Sequence, residues 1–417
     1  MIPKAKQLVL AALHQYFASR DFNGYRVKEE AGENLRNLLR PLLQQEVLAA
    51  RFGDLDMNPM IRPFPDPPPA VQLQMLSESN LDFVVVYPTK KELAKHVNAT
   101  DYSGKPFTLE IARGCGQLEY RCFDLSVLEL YRNDPRYYYK ASDVFGAIYA
   151  SDDAQNLPES DRVFLQTFGF GYDDDMNRAV VVFLRYLSGL TPEHQQIWNS
   201  KLLKRQFHIH PDYFNSSIRG MWSTHIPILD AFLAELVHIN EMCALMGKPP
   251  LFRKTLTNDE KPKGFTFLIR PTKKEFLEFV HLLDKMLSEN LNKKFFEGEI
   301  ETEEEFPRAG GKVEVRQIGT LRLLETWLNA YWIPENPKSL QDALTTFREI
   351  RKLRNAPAHA VNDNQFDQAY FKQQRDLILR AYKGVRLLRL LFAEHPNVKG
   401  RYHDVPNALF EGRIRDF

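Results

Sequence analysis

The sequence predicts an α+β protein of more than one domain, and three observations carry that prediction. The chain has 417 residues, more than one ordinary core accommodates. Short runs of β-branched and aromatic residues fall between residues 71 and 255. Apolar stripes at helical spacing concentrate before residue 50 and after residue 265. The expected order is a small helical module (1–58), a proline-rich linker (59–70), a mixed α+β domain (71–255), a four-helix bundle (265–400) and a C-terminal tail (401–417).

Composition narrows the class. Apolar residues make up 44% and charged residues 26%, the balance of a folded globular chain. No apolar run is long enough to span a bilayer, so no membrane role is expected. The opening residues lead into a charged amphipathic segment, which is not a secretory signal. Cys115, Cys122 and Cys243 have no metal-binding spacing and cannot all pair, which points to a reducing cytoplasm. The net charge is +1, so any nucleic-acid surface has to be local.

In chain order, residues 4–20 are apolar at helical spacing. A second helix is expected over residues 33–48, with Leu35, Leu38, Leu39, Leu42 and Leu43 facing inward. Residues 52–59 read as a tight exposed turn. Two helices followed by a turn and strands resemble a winged-helix module, which would contact DNA. The plain alternative is a generic helical subdomain, and the module's mixed charges weaken the DNA reading. Pro59, Pro63, Pro65 and Pro67 to Pro69 predict an extended connector along the surface. Residues 81–87 have the content of a buried strand, and Pro88 would open a helix. Residues 107–112 and 118–123 both alternate by twos and predict paired strands around Gly114 and Gly116. Residues 168–175 read as a turn leading into 178–187. Residues 192–203 predict a helix, and 212–246 are largely helical.

The bundle helices are expected at residues 273–291, 313–331, 339–354 and 366–395, with Ser339 capping the third. The acidic run at 299–305 joins the first two. The last helix carries the clearest stripe: Phe371, Ile378, Ala381, Val385, Leu388 and Phe392. Four such helices close around one core.

Between the third and fourth of these segments stand Arg354, Asn355 and His359. Arginine stays charged and grips phosphate oxygens with two parallel hydrogen bonds. An imidazole near neutrality moves protons. Pro357 predicts a helix break near Asn355 and a new turn carrying His359. Backbone N–H groups there would add to phosphate attraction, and Asn355 could cap the turn or bind a phosphate oxygen. From residue 339 to 391, ten Lys/Arg face five Asp/Glu, a local excess of +5, the footprint expected of phosphate binding. Arg351, Lys352 and Arg375 are the RNA-binding candidates within it. The plain alternative is a basic helix face that is solvated or pairs with the run at 299–305.

Four helices with an Arg-x4-His motif ahead of the last one resemble the HEPN superfamily over about residues 265–400. The resemblance implies a metal-independent endoribonuclease with no cofactor, serving defence or stress response. Arg354 would stabilise the phosphorane, His359 would act as general base and then acid, and the products would carry 2′,3′-cyclic phosphates. It also implies a homodimer whose motifs face each other. Some family members are non-catalytic, so a nucleic-acid-binding or regulatory protein with a dimerising bundle stands as the alternative.

Other candidates rank lower. His208 and His210 share one side of a strand but lack a third metal ligand. Asp152, Asp153 and Asp173 to Asp175 lack calcium-loop spacing. Gly169 and Gly171 do not open a phosphate-binding helix, and Gly310 and Gly311 serve to relax a loop. Glu325 would orient His359.

Overall fold

A computed structural model describes residues 3–27, 32–53, 58–151, 156–257, 260–308, 313–332, 337–355 and 363–415. The architecture is mixed α+β, with several sheets and a helical C-terminal part. Two compact units divide the chain, residues Met1–Trp222 and Ser223–Phe417.

The first unit opens with α1 (Pro3–Ala18), β1 (Tyr25–Arg26), α2 (Gly32–Gln44), β2 (Leu48–Phe52), α3 (Pro69–Glu78) and β3 (Val84–Pro88). Strand β3 is the centre of an antiparallel sheet in the order β1-β3-β2. Val84, Val85, Val86 and Tyr87 are all buried, so both faces of that strand are covered. The N-terminal helices thus close on a strand from beyond the proline stretch. That stretch was expected on the surface, but Ile61, Arg62 and Pro63 are buried. The Arg62 guanidinium donates to the Pro88 carbonyl, lies over the Tyr16 and Tyr87 rings, and pairs with Asp66 at 3.3 Å. These partners offset the cost of burying the charge, although Arg62 Nε itself makes no hydrogen bond among the described residues. Burial pushes the Asp66 carboxyl up, against the pull of Arg62 and Arg51.

The unit continues with α4 (Lys90–Leu93), α5 (Pro106–Ala112), β4 (Tyr120–Phe123), α6 (Glu129–Asn133), β5 (Tyr137–Ala141), β6 (Phe145–Ala150), β7 (Phe164–Tyr172), β8 (Arg178–Phe183), α7 (Leu184–Leu187), α8 (Pro192–Ser200), β9 (His208–Ile209) and α9 (Pro211–Phe214). Strands β4-β8-β7-β6-β5 form an antiparallel sheet, and β9 pairs with β7 at Gly171 and Tyr172. Three expectations are corrected. Pro88 ends β3, and Thr89 caps α4 by accepting from the Glu92 amide. Residues 107–112 are helix α5, not a strand. Pro106 opens it, and the buried Gln195 amide oxygen accepts from the Phe107 and Thr108 N–H groups. Phe107 and Ile111, four residues apart, are buried together with Ala112, so helical spacing decides there. Residues 168–172 belong to β7, and the turn follows at 173–177, where Asp173 accepts from the Asp175 and Asn177 amides. Gly169 allows close approach instead of a bend: a Cβ there would run into the Tyr213 ring.

The second unit comprises β10 (Ile226–Pro227), α10 (Ile228–Leu245), α11 (Lys273–Met286), β11 (Glu303–Pro307), β12 (Val313–Gln317), α12 (Thr320–Tyr331), α13 (Pro337–Asn355), α14 (Ala369–Ala393), α15 (Asn407–Glu411) and β13 (Ile414–Arg415). Helix α14 lies between α10 and α13, and α13 also meets α11 and α12. Ile378, Ala381, Val385, Leu388 and Phe392 are fully buried as the stripe requires, while Phe371 is half-buried. Helix α10 was grouped by sequence with the α+β region. It packs on α14 through a buried ion pair between Glu235 and Arg389. Residues 313–317 were expected to begin a helix but form strand β12, paired with the acidic β11. Val-Glu-Val-Arg-Gln alternates by twos, and Glu304 faces Arg316 across the hairpin. Ser339 lies inside α13, which begins at Pro337, a favoured first helical position. The tail folds back: β13 pairs in parallel with β10, and Leu409 is buried.

Candidate functional site

The C-terminal end of α13 carries Arg351 and, in its last turn, Arg354. Their three-residue spacing sets both on one helix face, and Ile350 and Phe347 are the buried anchors of that helix. Cations suit this position because helix C-termini carry partial negative charge. Against them stands Asp284, near the C-terminal end of α11 and fully buried. Its carboxylate accepts from the Ser288 hydroxyl and from the Arg354 guanidinium at 3.2 Å, and Arg351 Nε lies 3.9 Å away. Glu289 also pairs with Arg354. The Arg354 side chain keeps 27% exposure and Glu289 30%, so solvent reaches both.

An anion buried at a helix C-terminus is doubly disfavoured, by desolvation and by the helix dipole. The two guanidinium groups offset both costs. Arg354 is thereby fixed on a buried carboxylate with part of its surface open to solvent, and Asp284 and Glu289 both pair with it.

The remaining candidates are spread more widely. Asn355 is the last residue of α13 and is exposed, as is Lys352. Arg375 is exposed on α14. His359 and Pro357 lie outside the described residues, as do Asp152, Asp153, Gly310 and Gly311. The described chain after the motif returns beside the start of α11, where the Lys273 amide donates to the Gln365 carbonyl and the Asp367 amide to that of Pro271. The flanks of the motif therefore meet opposite ends of α11.

The basic excess of this segment is largely paired. Arg348 binds Glu325 of α12, Arg380 binds Glu349, and Arg389 binds Glu235. Arg380 holds the Glu349 carboxyl below the usual range against a weaker push from burial. Glu325, expected to orient His359, is thus committed to Arg348. The acidic run turns elsewhere. Glu299 binds Lys248 and the Trp327 indole, and Glu304 binds Arg322.

His208 and His210 do not converge. His208 is exposed, 3.5 Å from Asp174, and His210 accepts from the Asp212 amide at the start of α9. Among the described residues, no group of three or more His, Cys, Asp or Glu side chains is placed to hold a metal ion. None of the described helices is long and apolar enough to cross a membrane.

Asp284, Ser288 and Glu289 were not singled out from the sequence, although a signal existed. Asp284 stands four residues after Val280 and next to Leu283, on the buried stripe of its helix. A carboxylate on an apolar stripe calls for a cationic partner. Compared with known proteins, the chain matches no protein family, no curated protein sequence and no solved structure.

Proposed function

We propose that the helical unit is a metal-independent endoribonuclease of the HEPN type, acting in the cytoplasm as a homodimer in defence or stress response. The observation that carries the reading is Arg354, half-exposed and held on the buried Asp284 one residue before the segment that leads to His359. In this reading His359 takes the proton of an RNA 2′-hydroxyl. The freed oxygen attacks phosphorus, and Arg354 stabilises the charge that develops on the phosphoryl oxygens. The bond to the 5′-oxygen breaks, and the imidazolium returns its proton there. The products are a 2′,3′-cyclic phosphate and a 5′-hydroxyl. Asn355 would contact a phosphate oxygen, while Lys352 and Arg375 would hold flanking phosphates.

The test is incubation of the protein with mixed RNA in EDTA, beside the His359→Ala variant, with the product ends identified. Cyclic phosphate ends that disappear with the variant support the reading. Ends bearing a 3′-hydroxyl, or identical products from both proteins, contradict it.

One observation favours a second reading. Arg354 already has two carboxylate partners, and a guanidinium so engaged serves equally to join α13 to α11. The unit would then be a non-catalytic dimerising and nucleic-acid-binding module, with a winged-helix-like N-terminal region on DNA. Retained binding in a mobility assay with no cleavage would favour it.

A further inference from the structure

Strands β11 and β12 form a hairpin of their own, and no third strand joins them among the described residues. None of their residues is buried. Val313 and Val315 stay 56% and 53% exposed, and Phe306 39%. A two-stranded hairpin that buries neither face is marginal by itself in water. Its free edges are also templates for a further strand.

The two edges differ. The Ile318 amide donates to the Thr302 carbonyl at 2.9 Å. Hydrogen-bonded pairs alternate along an antiparallel ladder, so the next ones are Glu304 with Arg316 and Phe306 with Glu314. The backbone groups of Val313, Val315 and Gln317 therefore point away from β11, to the outer edge of β12. The outward residues of β11 are Glu303, Glu305 and Pro307. Like charges and a residue without an N–H protect a strand edge from pairing. The β12 edge has no such protection: it carries valines, with one acidic and one basic residue between them.

We propose that the β12 edge pairs antiparallel with β12 of a second copy of this chain, about a two-fold axis at Val315. Residues 313–317, Val-Glu-Val-Arg-Gln, are self-complementary in that register. Val315 meets its own copy. Glu314 stands opposite Arg316 of the partner subunit, and Arg316 opposite the partner's Glu314. Opposite charges so placed stabilise a strand pair. Val315 is an outward-pointing residue, so the axis falls on a hydrogen-bonded pair, and Val313 with Gln317 extends the ladder on both sides. Sliding the register by two residues sets Glu314 against Glu314 or Arg316 against Arg316, which like-charge repulsion disfavours. Within one chain Glu314 already binds Arg308 and Arg316, so the carboxylate is ionised and in place. The product is a closed four-stranded sheet whose outer edges are the two protected β11 strands. The second copy is chosen by this self-complementarity, and the surface lies beyond what the nuclease reading assigns.

Sedimentation velocity on the full chain tests it. The wild type should sediment as a dimer at micromolar concentration and dissociate on dilution. Val315→Lys sets two ammonium groups on the axis and should leave a monomer. Glu314→Arg and Arg316→Glu should each be monomeric alone, because each sets like charges opposite one another. Mixed in equal amounts, these two variants should regain the dimer, since two arginines of one chain then face two glutamates of the other. None of the substituted residues is buried, and an unchanged far-ultraviolet circular dichroism spectrum confirms that each variant is folded. Three results overturn the inference: a wild type monomeric at every concentration, which leaves the edge to a strand of another protein; a dimer that survives all three substitutions; or a mixture of the charge variants that stays monomeric. Failure of the nuclease reading shows separately, in RNA cleavage by the same proteins: a hairpin-dependent dimer that never cuts RNA removes the nuclease and leaves the interface.

Discussion

Arg354 has two acidic partners of different character, and the difference sets what each can do. Asp284 is fully buried and cannot leave, so it fixes the guanidinium. Glu289 is on the solvent side and competes for the donors a phosphate would use. Exposed pairs contribute roughly 0.2–1 kcal/mol. Glu289→Gln should therefore raise the RNA cleavage rate about two- to fivefold at low substrate, measured as kcat/KM. A rate unchanged or lowered would mean that Glu289 does not obstruct the site. Arg351 and Arg354 were legible from the sequence as cations near a helix end. Their partners were not, because the approach of α11 to α13 is a tertiary fact that no local spacing encodes.

At the level of elements, α14 was legible because its apolar stripe has only one use. Two short segments were misread because a period of two over five or six residues does not separate strand from helix by itself. Residues 107–112 became helix α5 through Pro106 and the distant Gln195, whereas residues 313–317 kept the strand that their alternation encodes. The closeness of α13 and α14 rests on Gly384, where a Cβ would meet Phe347 ring atoms at 2.7 and 2.8 Å. Overpacking of this kind costs about 1–3 kcal/mol. Gly384→Ala should lower stability by that amount in urea unfolding, despite alanine's better helix propensity. A stabilised variant would show that the two helices separate freely.

Across the whole molecule the net charge is +1, and the second unit offsets its buried charges by pairing across great sequence separations. Glu235 and Arg389 are 154 residues apart and almost fully buried. Sequence reading finds a basic segment and an acidic run, but which carboxylate meets which arginine follows only from the fold. The self-complementary edge escaped notice for a different reason: residues 313–317 were expected to begin a helix, and their self-complementarity has meaning only in a strand. The proposed cleft between two copies requires a dimer. Sedimentation equilibrium should return twice the chain mass of 48.6 kDa at micromolar concentration, and a single-chain mass at every concentration would remove the dimer from the account.

The proposed ribonuclease activity meets its most direct trial in one rate ratio, RNA cleavage in EDTA by the wild-type chain against His359→Ala. Loss of a general acid–base group should slow the reaction by about 10²–10⁴-fold while the wild type ignores the chelator. A variant that cuts as fast as the wild type, or a wild type silenced by EDTA, would contradict it.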